Sequence, residues 1–323
     1  MNGRRVLVTG ASGFIGHHLV HRLLDAGAVV AITTRIGNPM RNERLRSMWD
    51  RVQVFEADIR NRGALSAARG FNPEVVFHLA AYNHVGQSFT QVEECFDVNA
   101  KGTANVVDTF TEAQRIVYIS TSEVYGDQPM VPFVETMAPQ PISPYAITKF
   151  AGELYCRLKQ RTANCPSLVV IRPFNAFGPY QSSKAIIPEI IINCLLGRPV
   201  VATAGRQTRE FNYVENLVDG FIKAAAYPGE INEVINLGAA EEISIHDLIL
   251  KIAQLTETSS KISIGALPYR PTEIWRMYCD SSRARELLGW RPAIDFEQGL
   301  RLTVQWFRTY LETCRDADGQ LAT

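Results

Sequence analysis

The sequence predicts an α/β protein: a doubly wound parallel sheet with a smaller α/β cap. Three observations predict it. Short, continuously apolar runs alternate with helix-like patterns through the first half of the chain. The first run opens into a glycine-rich turn and a helix. Beyond Arg172 the rhythm breaks, and loops rich in proline, glycine and asparagine separate shorter elements. Strands that stay apolar at every position are buried on both faces, and repeated βαβ units place them in a parallel sheet.

In order, the strand-like runs are RVLVT (Arg5–Thr9), VVAIT (Val29–Thr33), VQVFEA (Val52–Ala57), VVFHLA (Val75–Ala80), RIVYIS (Arg115–Ser120) and SLVVIR (Ser167–Arg172). FIGHHLVHRLLDAG puts Ile15, Leu19 and Leu23 on one helix face and stops at Gly27. NAKGTANVVDTFTEA and YAITKFAGELYCRLKQR are further helices. FNYVENLVDGFIKAAAYPG reads as a helix and EVINLG as a strand, both expected to return to the main sheet. The expected division is therefore residues 1–172 with 212–236 for the sheet domain, and residues 173–211 with 237–323 for the cap. The final residues, DADGQLAT, read as a frayed tail.

A chain of 323 residues is ample for a buried core. Its 33 basic and 33 acidic residues cancel, so no charge surplus points to nucleic acid or an anionic membrane. The six cysteines (Cys95, Cys156, Cys165, Cys194, Cys279 and Cys314) have no metal-ligand or redox spacing, and free thiols without a metal are expected. The N-terminus enters a strand at once, leaving no room for a signal peptide, and no apolar run reaches membrane-spanning length. A cytoplasmic protein is the expectation.

TGASGFIG places Gly10, Gly13 and Gly16 between the first strand and the first helix. A pyrophosphate needs that combination: a tight turn, close backbone approach, and a helix N-terminus whose N–H groups favour an anion. This is the dinucleotide turn of a Rossmann-type sheet. The second strand ends in TTRIG without the carboxylate that would hold an NAD ribose; Arg35, with Arg41, suits a 2′-phosphate. NADP is therefore expected, with NAD possible. Asp58, after the third strand, is placed to accept from the adenine amino group.

YAITK sets Tyr145 and Lys149 four residues apart on one helix face. An ammonium near the phenol favours tyrosinate, a proton shuttle at neutral pH. STSEVYG (Ser120–Gly126) adds Thr121 and Glu123 at the end of an apolar run.

Together with HLAA (His78–Ala81), Asn99, RPFNAFGP (Arg172–Pro179), TREFNYV (Thr208–Val214), INLG (Ile235–Gly238) and RPTEIWR (Arg270–Arg276), these motifs resemble the extended short-chain dehydrogenase/reductases that act on nucleotide sugars, from Val6 to about Trp306. The resemblance implies a cofactor site at Gly10, Gly13, Phe14, Ile15, Gly16, Arg35, Asp58, Ile59, Leu79, Ala80, Ala81, Tyr145 and Lys149. It implies catalysis by Thr121, Glu123, Tyr145 and Lys149. Asn175, Arg209 and Arg276 match diphosphate-binding positions, and His84, Ser122, Ile187 and Asn236 complete the implied substrate contacts. STSEVYG and AAYNHVGQSF (Ala80–Phe89) are most similar to sugar-nucleotide 4,6-dehydratases, in which a carboxylate at C-5 turns an oxidation into an elimination. The implied substrate is UDP- or GDP-N-acetylglucosamine or GDP-mannose.

Ser122 stands where glucose-type dehydratases often carry an aspartate as acid, so either Glu123 donates its newly taken proton or water assists. A UDP-glucuronate decarboxylase, with Lys184 or Arg206 as the cation, and a 4-epimerase or 4-keto reductase are the alternatives. A non-catalytic nucleotide-binding scaffold has no need of the full Thr121, Tyr145 and Lys149 set. Family members usually pair through a four-helix bundle, which implies a homodimer; Val106, Phe110, Phe150 and Leu154 are the candidate faces, and an apolar pattern would equally let them pack on the sheet.

Overall fold

The computed structural model describes residues 1–35, 37–38, 42–162, 165–269 and 273–313. Its centre is a seven-stranded sheet of β1 (Arg5–Thr9), β2 (Val29–Thr34), β3 (Gln53–Glu56), β4 (Val75–His78), β5 (Arg115–Ile119), β6 (Ser167–Pro173) and β7 (Ile235–Leu237). The order is β7-β6-β5-β4-β1-β2-β3, and every pairing is parallel. The chain reverses direction across the sheet between β1 and β4. At that switch point the loops after the two strands part and leave a crevice at their carboxyl ends. All the predicted strands form, and the EVINLG segment joins the sheet as its edge strand beside β6.

The two faces of the sheet carry separate cores. Val6, Val8, Phe77 and Val117 pack with the first helix (Phe14–Asp25) and the Val214–Ala226 helix. Leu7, Val76, Ile116 and Tyr118 pack with the Gly102–Thr109 and Pro144–Gln160 helices on the other face. A third core joins Ile187, Ile190 and Ile191 of the Ile186–Leu195 helix, Leu248 and Ile252 of the Ile245–Thr256 helix, and Leu300, Val304 and Phe307 of the Phe296–Thr313 helix. Ala284 and Trp290, late in the chain, belong to the sheet-side core instead.

Two candidate pairing residues turn inward: Val106 and Phe110 are buried against the sheet. Phe150 packs against the cluster around Val124, Phe133 and Phe174. Leu154 is exposed, and Phe96, Ile147 and Leu158 are exposed with it.

The Pro144–Gln160 helix is anchored through its buried face. Glu153 takes two hydrogen bonds from Arg172 of β6, from Nε at 2.9 Å and Nη2 at 2.6 Å, and a third from the Ser120 hydroxyl. Both side chains of the pair are fully buried. Arg172 also lies over the Tyr125 ring, 4.6 Å from its centroid.

Candidate active site

The site grows from the turn after β1. Gly10 has a φ of +77°, and a Cβ there would sit 2.6 Å from the Ala80 nitrogen. A Cβ on Gly16 would come within 2.2 Å of the Gly10 carbonyl oxygen. Side chains at these two positions would strike backbone, so glycine is required by space. The first helix begins at Phe14 behind Gly13, with no side-chain cap. The N–H groups of its first turn are thus available to an anion. Gly10, Gly13, Phe14, Ile15, Gly16, Leu79 and Ala81 all line one cleft. The arrangement fits a dinucleotide pyrophosphate.

A directed hydrogen-bond chain holds the opposite wall. The Thr103 hydroxyl donates to the Asn99 carbonyl at 2.6 Å, so His78 Nε2 donates to Thr103 at 3.0 Å. His78 Nδ1 is then the acceptor for the Thr9 hydroxyl at 2.8 Å, and Thr9 in turn accepts from the Ala80 N–H at 3.2 Å. Burial first, and the Lys149 charge second, push His78 down to about 3, which keeps it neutral as this chain requires. Asn99 adds a second brace: its Oδ1 accepts from the Tyr82 N–H and its Nδ2 donates to Thr148 at 3.0 Å. The HLAA motif was visible in the sequence, but the role of His78 was not. Its partners, Thr9 and Thr103, come from elements far apart in the chain.

The catalytic candidates meet in the same cleft. Thr121, Ser122, Glu123, Tyr145 and Lys149 line it together with Asn83 and Asn175. Ser143 caps the catalytic helix, its hydroxyl accepting from the Ala146 N–H at 3.1 Å, and Pro144 takes the first helical position. Tyr145 and Lys149 then project one turn apart. Thr121 caps the short turn Ser122–Tyr125 by accepting from the Glu123 N–H at 3.2 Å.

The expected tyrosinate is absent from this balance. Burial pushes the Tyr145 phenol up to about 12; a hydrogen bond with Thr121 pulls it down and the Glu123 charge raises it. Lys149 donates to the Ile119 carbonyl at 2.6 Å and lies 4.3 Å from the centroid of the Tyr118 ring. Burial brings Lys149 down to about 7. The lysine is turned to the end of β5, and Thr121 is the hydroxyl paired with the phenol. Tyr145 therefore holds its proton beside Thr121 and not against the Lys149 ammonium.

Glu123 is the one carboxylate lining this cleft among the described residues. Ser122 is buried, and its hydroxyl points to the Met277 sulfur at 3.5 Å. Asn175 lines both this cleft and a second cavity that also holds Lys184, Gln207, Arg209, Leu267 and Glu273. There Arg209 donates to Glu273 at 2.7 Å.

Other sequence candidates lie apart. Arg276 is exposed, is paired with Glu242, and lines neither cavity. His84 is exposed outside the cleft. Ile187 is buried in the third core. Asn236 is fully buried, accepting from the Tyr125 hydroxyl at 2.7 Å and donating to the Phe133 carbonyl at 3.1 Å. Asp58 is held by Arg60 at 2.7 Å, and that bond keeps its carboxyl below the usual range. Ile59 is buried, Arg35 is exposed at the end of β2, and Arg41 lies outside the described residues.

The family model for GDP-mannose 4,6 dehydratase matches residues 7–303. The chain belongs to that family of extended short-chain dehydrogenase/reductases, the NAD(P)-dependent nucleotide-sugar dehydratases and epimerases. It is 33% identical to the UDP-glucose 4-epimerase of Mycolicibacterium smegmatis, over 94% of this chain and 98% of the relative. It is 32% identical to the dTDP-glucose 4,6-dehydratase of Neisseria meningitidis, over 94% and 93% of the two chains. The UDP-glucuronic acid 4-epimerase of Bacillus cereus, solved with UDP-glucuronic acid and NAD, superposes with a TM-score of 0.87 at 29% identity, covering 95% and 99% of the two chains. Among the described residues, no helix of this family member is long and apolar enough to cross a membrane.

The Lys149 ionisation sets a pH signature. Its folded value, about 7, lies below the ordinary 10.5, so above pH 7 the unfolded chain binds the extra proton and stability rises with pH toward 10.5. In the unliganded protein this contribution grows by about 2 kcal/mol from pH 7 to pH 9. Urea unfolding at the two pH values, compared with Lys149→Met, measures it; an equal rise in the variant would remove Lys149 as its source.

Proposed function

We propose that the protein is a nucleotide-sugar 4,6-dehydratase. The observation that carries this reading is Glu123, the one carboxylate lining the described cleft, set beside Thr121, Tyr145 and Lys149 above the dinucleotide turn. When bound, the dinucleotide supplies a hydride acceptor that later gives the hydride back. Tyr145 takes the proton of the sugar C-4 hydroxyl, and Thr121 hydrogen-bonds the C-4 oxygen. The resulting ketone acidifies C-5. Glu123 removes the C-5 proton and delivers it to the departing C-6 hydroxyl, which leaves as water. One proton is then needed, at C-5, as the hydride reaches C-6: Tyr145 gives up the proton it took from the C-4 hydroxyl, and the deprotonated Glu123 relays one to C-5. The product is a 4-keto-6-deoxy sugar nucleotide, lighter by one water.

The contact of the Ser122 hydroxyl with the Met277 sulfur, at 3.5 Å, supports giving this step to Glu123 and not to Ser122. Removal and delivery by one carboxylate require both groups on the same face of the sugar. The decarboxylase reading needs a cation for the C-6 carboxylate. Among the described residues Lys149 is the one basic side chain lining the cleft, Lys184 lines the second cavity, and Arg206 is exposed outside both. The substrate reading is UDP- or GDP-N-acetylglucosamine or GDP-mannose, with Asn175 and Arg209 at the diphosphate.

Incubation with these sugar nucleotides, dTDP-glucose and UDP-glucuronate, followed by mass spectrometry, tests the reaction. The expected result is loss of one water without added cofactor being consumed. Unchanged mass with inverted C-4 would establish an epimerase, and loss of carbon dioxide a decarboxylase. Glu123→Gln should reduce turnover by about 10²–10⁴-fold while leaving C-4 oxidation intact; wild-type turnover would make Glu123 structural.

For the cofactor we infer NADP, supported by exposed Arg35 and by the lack of a carboxylate at the end of β2. Calorimetry with both dinucleotides should favour NADP, and Arg35→Asp should reverse the order. Tighter NAD binding by the unaltered protein would assign the cofactor to NAD, as in the Bacillus cereus neighbour.

We further infer a homodimer built on the exposed face of Phe96, Ile147, Leu154 and Leu158. Replacing Leu154 and Leu158 by glutamate should halve the mass measured by light scattering; a monomeric unaltered protein would dismiss the inference.

A further inference from the structure

Tyr180 is held in the left-handed region, at a φ of +63°, which a tyrosine rarely adopts without external restraint. The restraint is visible. Arg44 donates to the Tyr180 carbonyl from Nε at 3.1 Å and from Nη2 at 2.6 Å. The Tyr180 ring sits between His17, at 4.4 Å between centroids, and Trp306, at 4.7 Å. The preceding carbonyl, of Pro179, is bound by His18 Nε2 at 2.9 Å. His17 and His18 belong to the first helix, which starts at the dinucleotide turn.

Arg44 reaches that turn as well. Its Nη1 donates to the Ser12 carbonyl at 3.3 Å, between Gly10 and Gly13. On the other side of Tyr180, Gln181 Nε2 donates to the Ala176 carbonyl at 2.8 Å. Ala176 and Asn175 line the catalytic cleft, and Lys184, further along the loop, and Ile186, at the start of the next helix, line the second cavity. A short polar path thus runs from the pyrophosphate cradle through one guanidinium to the loop that shapes both substrate-facing walls.

We propose that Arg44 is a positioning residue that couples the two ligand sites: a dinucleotide on the Ser12 turn fixes Arg44, Arg44 fixes the strained Tyr180, and the loop is thereby set to receive the sugar nucleotide. The proposal rests on the reading of the two cavities as dinucleotide and sugar-nucleotide sites. A fork to one carbonyl with a third bond to another needs the planar, multi-donor guanidinium, which lysine does not reproduce. Coupling through such an element is reciprocal.

The test uses the full chain with UDP, GDP and dTDP as probes. Each affinity is measured by calorimetry with and without saturating dinucleotide. In the unaltered protein, dinucleotide should tighten binding of the preferred nucleoside diphosphate by about 5- to 20-fold. Arg44→Ala and Arg44→Lys should each bring that factor below about 2 while keeping a cooperative thermal transition and measurable affinity for each ligand alone. The Lys variant keeps the charge and serves if the Ala variant does not fold. No coupling in the unaltered protein, or full coupling in both variants, overturns the proposal while leaving the function standing. Failure of all three nucleoside diphosphates to bind the unaltered protein overturns both.

Discussion

The buried pair of Glu153 and Arg172 is the constraint on which the site rests. It joins the helix that carries Tyr145 and Lys149 to β6, and the third acceptor bond of Glu153 reaches Ser120, the residue before Thr121. Removing one partner of such a pair typically costs about 3–5 kcal/mol, because the other charge is left buried and uncompensated. The pair is more than a local brace. Arg172 covers Tyr125, Tyr125 donates to Asn236 at the edge strand, and Asn236 holds the Phe133 loop. One ion pair therefore registers the catalytic helix, the Ser120–Gly126 turn and β7 against each other.

The electrostatics of the cleft follow from the same burial. Solvent is excluded on the sheet side, so Tyr145 holds its proton and Lys149 gives up charge readily. Glu123 is the carboxylate that lines this cleft among the described residues. A cation brought against the phenol on ligand binding would favour the tyrosinate, since a nearby positive charge stabilises the ionised form.

Much of this was legible in the chain. The β1 turn could be read because its requirement is local: a glycine wherever a Cβ would strike backbone, as at Gly10 and Gly16. Tyr145 and Lys149 could be read because helix periodicity places them together without any help from the rest of the molecule. Val106 and Phe110 were ambiguous because an apolar residue on a helix serves an inner or an outer face equally well in a pattern. Asn236 and Arg276 stood in matching motifs, but one is enclosed by Tyr125 and Phe133 and the other is held outside by Glu242.

The sequence by itself determined the βαβ order, the dinucleotide turn and the presence of Thr121, Glu123, Tyr145 and Lys149, because each depends on spacing within one element or turn. The tertiary structure alone decided which groups face one another. It gave the Ser122 hydroxyl to Met277, turned Lys149 to Ile119, sealed Glu153 with Arg172, and brought Arg44 between Ser12 and Tyr180. Those pairings join residues up to 155 positions apart. Charge balance, hydrogen-bond direction and burial are properties of such meetings, and no window along the chain contains them.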